Sequence, residues 1–165
     1  MSDVETSWED RMAALWSAFD DHAADDFVAR VERLAAELPP ENAIGLFERA
    51  SAYDSTGRPD TAVSLYRAAL NTGLGGRRRR EAIIQLASSL RNLGQAGEAA
   101  ALLSDELRAP SDDLDGAVCA FLALALVDLG REREAVGISL TALSKYLPQY
   151  NRSLARYSSE LANPS

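Results

Sequence analysis

The chain has 165 residues, 47% of them apolar, with one cysteine and a net charge of −8. That is one domain's worth of sequence, long enough to bury a core but without the paired thiols of a disulfide or a cysteine metal site. Through residue 60 there are 14 acids against five arginines, and from residue 61 onward 12 basic residues meet 11 acids, which argues against free nucleic acid as a partner because such binding needs a positive face.

Residues 7–21, SWEDRMAALWSAFDD, space Trp8, Met12, Leu15, Trp16 and Phe19 along one helical face, with Ser7 and Asp10 as a start signal. A second helix over about 25–38 carries Phe27, Val31, Leu34 and Leu38 on one side and stops at Pro39-Pro40. Asp25 and Asp26 fit the positive end of its dipole. Further helices are expected at 41–56, 59–72, 78–93, 96–108, 114–129 and 132–145, with Pro59 in a first turn, where its missing N–H costs little. A last helix over 148–162 sets Tyr150, Leu154, Tyr157 and Leu161 on one face and Arg152, Arg156 and Ser159 on the other, as a capping helix requires. Strand signals are almost absent. No run of about 18 apolar residues could span a bilayer, and the acidic N-terminus lacks an apolar secretory core. A cytoplasmic protein with no membrane association is expected.

The helices recur in pairs. Gly57, Gly94 and Gly130 lie 37 and 36 residues apart. Seven places before each stands Ala50, Ala87 or Ala123, and four before each stands Tyr53, Leu90 or Leu126. Five places after each comes Ala62, Ala99 or Ala135, and thirteen after each comes Leu70, Leu107 or Leu143. A glycine that accepts a left-handed backbone between two amphipathic helices makes a helical hairpin, and a hairpin of this size needs neighbours to bury its apolar face.

These columns resemble the tetratricopeptide repeat family. The best unit is ASAYDSTGRPDTAVSLYRAAL, with Ala50, Tyr53, Gly57, Ala62, Tyr66, Ala69 and Leu70 at the family's positions. The usual tryptophan is replaced by Leu46, Ile83 and Cys119, and the closing proline is missing. The runs RRRREAIIQLASSLRNLGQ and FLALALVDLGREREA also look like small single-domain bacterial repeat proteins with no assigned reaction. The resemblance implies an all-α, right-handed superhelix of antiparallel hairpins. Its parts are repeats at 41–72, 78–108 and 114–145, a degenerate N-terminal hairpin at 7–38 and a capping helix at 148–162, within one domain.

In such a stack the first helix of each hairpin lines a concave groove. By register those positions are Ile44, Phe47, Ser51 and Asp54, then Glu81, Ile84, Ser88 and Arg91, then Ala117, Ala120, Leu124 and Val127. The family's carboxylate clamp needs Lys and Asn, and here the corresponding places hold Phe47 and Ser51, then Ile84 and Ser88. Helix 114–129 is apolar nearly all round, so its groove face needs a cover: the C-terminal helix, a second copy of the chain, or a partner peptide. The expected work is protein–protein interaction, with a protein or peptide of unknown identity or as a homodimer.

Arg77 to Arg80 are the loudest local feature. They form either an anion or acidic-peptide site at the groove mouth, with Arg77, Arg80 and Arg91 as contacts, or a solvated run paired with acids such as Glu48 or Asp105. The first alternative would make the chain a sensor of a small acidic ligand. Catalysis is poorly served. His22 is the only histidine and reads as an exposed loop residue, and Cys119 lies in the most apolar helix without a visible base. Asp112, Asp113 and Asp115 read as a helix start capped by Ser111 or Asp113. No cofactor or metal is expected.

Overall fold

A computed structural model describes residues 7–162. Among them are nine α-helices and no strand: α1 (Trp8–Ser17), α2 (Ala24–Ala35), α3 (Ala43–Ser55), α4 (Pro59–Asn71), α5 (Gly76–Asn92), α6 (Ala96–Glu106), α7 (Asp115–Asp128), α8 (Glu132–Ser144) and α9 (Asn151–Ala162). The chain divides into two compact units, one running through Arg78 and the other beginning at Arg79.

The turns after α3, α5 and α7 are built alike. Gly57, Gly94 and Gly130 have φ of 78°, 77° and 72°. Each donates its N–H three residues back, to Asp54, Arg91 and Val127, and the next residue donates five back, to Tyr53, Leu90 and Leu126. Those two bonds satisfy carbonyls that a helix end would leave open, and they require a residue for which left-handed backbone is cheap. Around each turn the small columns are buried: Ala50, Ala87 and Ala123 on one helix, Ala62, Ala99 and Ala135 on the other. Leu90 and Leu126 are buried too, while Tyr53 is half-buried. The last leucine column is not core, since Leu70 is half-buried and Leu107 and Leu143 are exposed.

In the first unit α1 packs on α2, α2 on α3 and α3 on α4. Met12, Phe27, Val28, Val31 and Ala52 form its core, with Trp8, Leu15, Trp16, Phe19, Leu34 and Tyr53 against it. Ser7 caps α1 as expected, accepting from the Asp10 N–H at 3.1 Å. The helix expected over 7–21 breaks after Ser17 and continues as a 3-10 turn at Phe19–Asp21. The break swings Phe19 onto Phe27, their rings 4.7 Å apart and nearly perpendicular, while Trp16 meets Phe27 at 4.9 Å. Aromatic edge-to-face packing outweighs one lost helical turn here. The α2 helix stops at Ala35, three residues before the expected end.

In the second unit α6 packs on α7, α7 on α8 and α8 on α9. The α9 helix buries only part of the face expected: Leu154 and Leu161 are half-buried on the side that carries Ser158, but the two tyrosines are not. Ser158 is fully buried and its hydroxyl meets Thr141 Oγ1 at 2.8 Å, whereas Tyr150 and Tyr157 are exposed. The reason is the closeness of the two backbones: a Cβ on Gly137 of α8 would lie 2.6 Å from the Ala162 nitrogen and 2.8 Å from the Ser158 carbonyl oxygen. Only small residues fit that approach, so tyrosines are turned outward, and Tyr157 lies 4.7 Å from the Arg156 guanidinium.

Replacing Gly94 with Ala forces a Cβ into the left-handed region and should lower stability by about 1–2 kcal/mol. Gly97→Ala, at a helical position with open space around it, should leave stability unchanged or raise it by up to about 1 kcal/mol. Urea denaturation of the two variants beside the parent chain checks the contrast.

Candidate functional site

The residues expected to line an inner face fall into closed and open sets. On α3, Phe47 and Ser51 are buried, with Ile44 and Asp54 half-buried. The Phe47 ring lies 6.2 Å from Tyr66, whose hydroxyl sits 3.4 Å from both Ser51 Oγ and Asp54 Oδ2. Burial pushes the Tyr66 phenol far above its ordinary pKa, Ser51 opposing and Asp54 reinforcing the shift. Tyr66 is therefore a neutral core residue. On α5, Ile84 is buried while Glu81, Ser88 and Arg91 are half-buried.

On α7 the face is open. Val118, Leu122, Ala125 and Leu126 are buried, yet Ala120 is exposed, and Leu124 and Val127 keep 44% and 47% of their surface. At 3.6 residues per turn positions 120, 124 and 127 fall within roughly 60° of one another, with the half-buried Ala117 beside them. Helix α9 lies on α8 and does not cover this stripe. A helix that is apolar all round and bare along one side carries an unmet hydrophobic driving force, since each exposed CH2 that becomes buried is worth about 0.8 kcal/mol.

The arginine run is mostly taken up by carboxylates, Arg78 by acids of the first unit and Arg79 and Arg80 by acids of the second. Arg78 Nε is 3.5 Å from Glu48 Oε1, and Arg78 also pairs with Glu9 at 2.5 Å. The buried Glu48 accepts from the Trp16 indole N–H at 2.7 Å, which ties α1 to α3. Arg79 pairs with Glu106 at 3.2 Å. Arg80 is buried: its Nη1 donates to the Pro110 carbonyl at 2.8 Å and lies 3.0 Å from Asp112, its Nη2 meets Asp115 at 2.8 Å, and its Nε is 3.6 Å from Glu106. One guanidinium thus links α5 to the end of α6, the 107–114 link and the start of α7. Arg91 pairs with Asp128 at 2.5 Å. Of the two acids expected to neutralise the run, Glu48 does so; Asp105 instead meets Arg108, just past the end of α6, at 2.6 Å, and Glu106 stands in its place. Arg77 is exposed and lines a hollow of about 580 Å³ with Glu41, Asn42, Thr72 and Gly73.

The Arg80 cluster was legible in one respect. Position 80 lies three residues before Ile83 and seven before Ala87, on the core stripe of its helix, so its burial follows from the register. Its partners Glu106, Asp112 and Asp115 lie 26 to 35 residues away, and no local pattern points to them. The cap expected from Ser111 or Asp113 is not made: the residue before α7 is Leu114, with no side-chain capping bond, and Asp112 accepts from the Leu114 N–H at 2.7 Å in the turn that leads in.

His22 is half-buried rather than exposed, with Nδ1 3.2 Å from Asp26. Cys119 opens onto a hollow of about 400 Å³ lined also by Leu107, Ile138, Thr141, Lys145 and Ala162. Burial pushes its thiol up, Lys145 opposing and Asp115 reinforcing the shift, the reverse of what a nucleophile needs.

Residues 43–161 match the profile of a family described as tetratrico peptide repeat. No curated protein and no solved structure matches the chain.

Arg80→Ala removes the guanidinium that Asp112 and Asp115 share and leaves the buried Glu106 with Arg79 alone, and should cost about 3 kcal/mol, whereas Arg77→Ala should cost less than about 0.5 kcal/mol; thermal melts distinguish them. A hydrogen bond from Ser111, aided by the Asp112 N–H and Arg80 against burial, holds the Asp115 carboxyl below the ordinary carboxylate range. Its contribution to stability is therefore complete above about pH 4 and fades as pH falls through the lower folded value. In an acid titration of melting temperature, Asp115→Asn should flatten that part of the curve.

Proposed function

The chain belongs to the tetratricopeptide repeat family, and from that premise we propose that it is a non-catalytic docking module that holds a polypeptide on the bare face of α7. Proteins of this family generally mediate protein–protein interaction. Ala120, Leu124 and Val127 supply the apolar contact, and Ser88 and the Arg91–Asp128 pair on the neighbouring positions supply a polar margin. The exposure of Leu124 and Val127 on a helix whose other branched aliphatics, Val118, Leu122 and Leu126, are buried carries this reading. The occupant is a helix or extended segment with small apolar side chains, as a ridge of one leucine and one valine accommodates between its turns. Glu81 and Ser88, half-buried, take part only at the margin, and Ile84 holds the scaffold; in the first unit Phe47 and Ser51 are buried and Ile44 and Asp54 half-buried, and none of the four belongs to this face. A cytoplasmic setting belongs to the same reading.

The alternative, recognition of a small acidic ligand, rested on Arg77, Arg80 and Arg91. With Arg80 engaged by Glu106, Asp112 and Asp115, and Arg91 by Asp128, only the hollow beside Arg77 is left to support it.

A displayed library of helical peptides, selected on the parent chain, tests the docking reading. Selected peptides should lose about tenfold or more in affinity on Leu124→Glu, equivalent to about 1.4 kcal/mol, and be unaffected by Arg77→Ala. Peptides indifferent to Leu124→Glu would remove α7 from the function.

A further inference from the structure

The hollow of about 400 Å³ beside Cys119 has the size of a small-molecule site, roughly 300 to 1,000 Å³. Three helices of the second unit build it. Cys119 comes from α7, Ile138 and Lys145, two turns apart, from α8, and Ser159 and Ala162 from α9, while the segment after α6 adds Leu107. Its apolar wall is aliphatic, with no aromatic ring in the lining.

Most of the polar side chains around the hollow are already used by the fold. Ser111 donates to Asp115, which also accepts from Arg80 and from the Asp112 N–H. The Thr141 hydroxyl donates to the Gly137 carbonyl and meets Ser158. Lys145 differs. Its side chain keeps 62% of its surface, and its Nζ stands 3.8 Å from Asp115 Oδ2, beyond hydrogen-bond distance. That carboxylate is shared with Arg80 at 2.8 Å, so the ammonium keeps most of its capacity to hold an acceptor. A cation at the edge of an aliphatic hollow complements a chain that ends in one negative charge. A second charge on such a ligand would face Asp115 and find no second cation in the lining.

We propose that the hollow between α7, α8 and α9 binds an aliphatic monocarboxylate, its chain against Cys119, Ile138 and Ala162 and its carboxylate on Lys145 Nζ. The arginine run has no part in this site. Cys119 stands about 100° round α7 from Ala120, so the hollow is also separate from the stripe that docks a polypeptide.

Cys119 is the only cysteine of the chain and serves as the probe, because an aliphatic chain seated against it shields the sulfur. The full chain is alkylated with iodoacetamide over a range of carboxylate concentrations, and the modified fraction is read by intact mass. Protection should saturate, and from butanoate to octanoate each added methylene should lower the half-protecting concentration about fourfold. Hexan-1-ol in place of hexanoate, and hexanoate on Lys145→Gln, should each require about tenfold more ligand. Lys145→Gln should melt with the parent chain, since its side chain is exposed. Calorimetric titration of octanoate into the parent chain and into Cys119→Ser reads the affinity without the thiol chemistry. Protection by hexan-1-ol equal to that by hexanoate, or parent-like binding by Lys145→Gln, overturns the assignment of the head group. Protection that does not strengthen with chain length overturns the apolar wall. Neither protection nor heat at any chain length overturns the site.

Discussion

A single residue in left-handed backbone at the end of the first helix of each hairpin is what the rest of this structure depends on. Gly57, Gly94 and Gly130 each reverse the chain within a few residues while two hydrogen bonds close the helix end behind them. The reversal sets two apolar stripes face to face, and the alanines at five and seven places from the glycine let the backbones approach. A hairpin made in this way still has apolar surface to spare. The packing of α2 on α3 in one unit, and of α6 on α7 and α8 on α9 in the other, follows from that surplus.

Charge plays a narrower part. Most of the ion pairs lie at the surface, where each contributes little. Two do not. Glu48, closed in by the Trp16 indole and Arg78, binds the entering helix α1 to α3, and Arg80 binds the link between α6 and α7. In both cases a charged side chain withdrawn from water demands several partners at once, so it fixes geometry more than it adds stability. The basic run that looked like an anion site is accordingly, in Arg78, Arg79 and Arg80, a set of fasteners.

The hairpins were legible in the sequence because their causes are local: glycine at the turn, alanine at the crossing, a hydrophobic period of 3.6. The same local logic marked α7 as carrying more apolar residues than one helical face can bury and its groove face as needing a cover, where Ala120, Leu124 and Val127 stand exposed. What escaped is non-local. The break after Ser17 depends on Phe27, eight residues beyond Phe19 in sequence and on another helix. The outward turn of Tyr150 and Tyr157 depends on how near α9 comes to Gly137, a distance that no periodicity encodes. The burial of Phe47 and Ile84, at positions that register assigns to an inner face, depends on how closely the elements around them pack.

These two kinds of contact meet at α7. Its start is held by the Arg80 cluster, with Asp112 and Asp115 engaged by the same guanidinium, and one side is packed against α6 and α8. The exposed stripe is therefore carried on a helix whose position is already fixed. Association loses less conformational entropy when the contact surface is ordered beforehand, because few side chains with only one or two rotatable bonds remain to be immobilised. Alanine, valine and leucine are such side chains. A short apolar stripe on a fastened helix is thus suited to binding with modest area, and in the proposed docking the buried arginine serves by holding that helix in place.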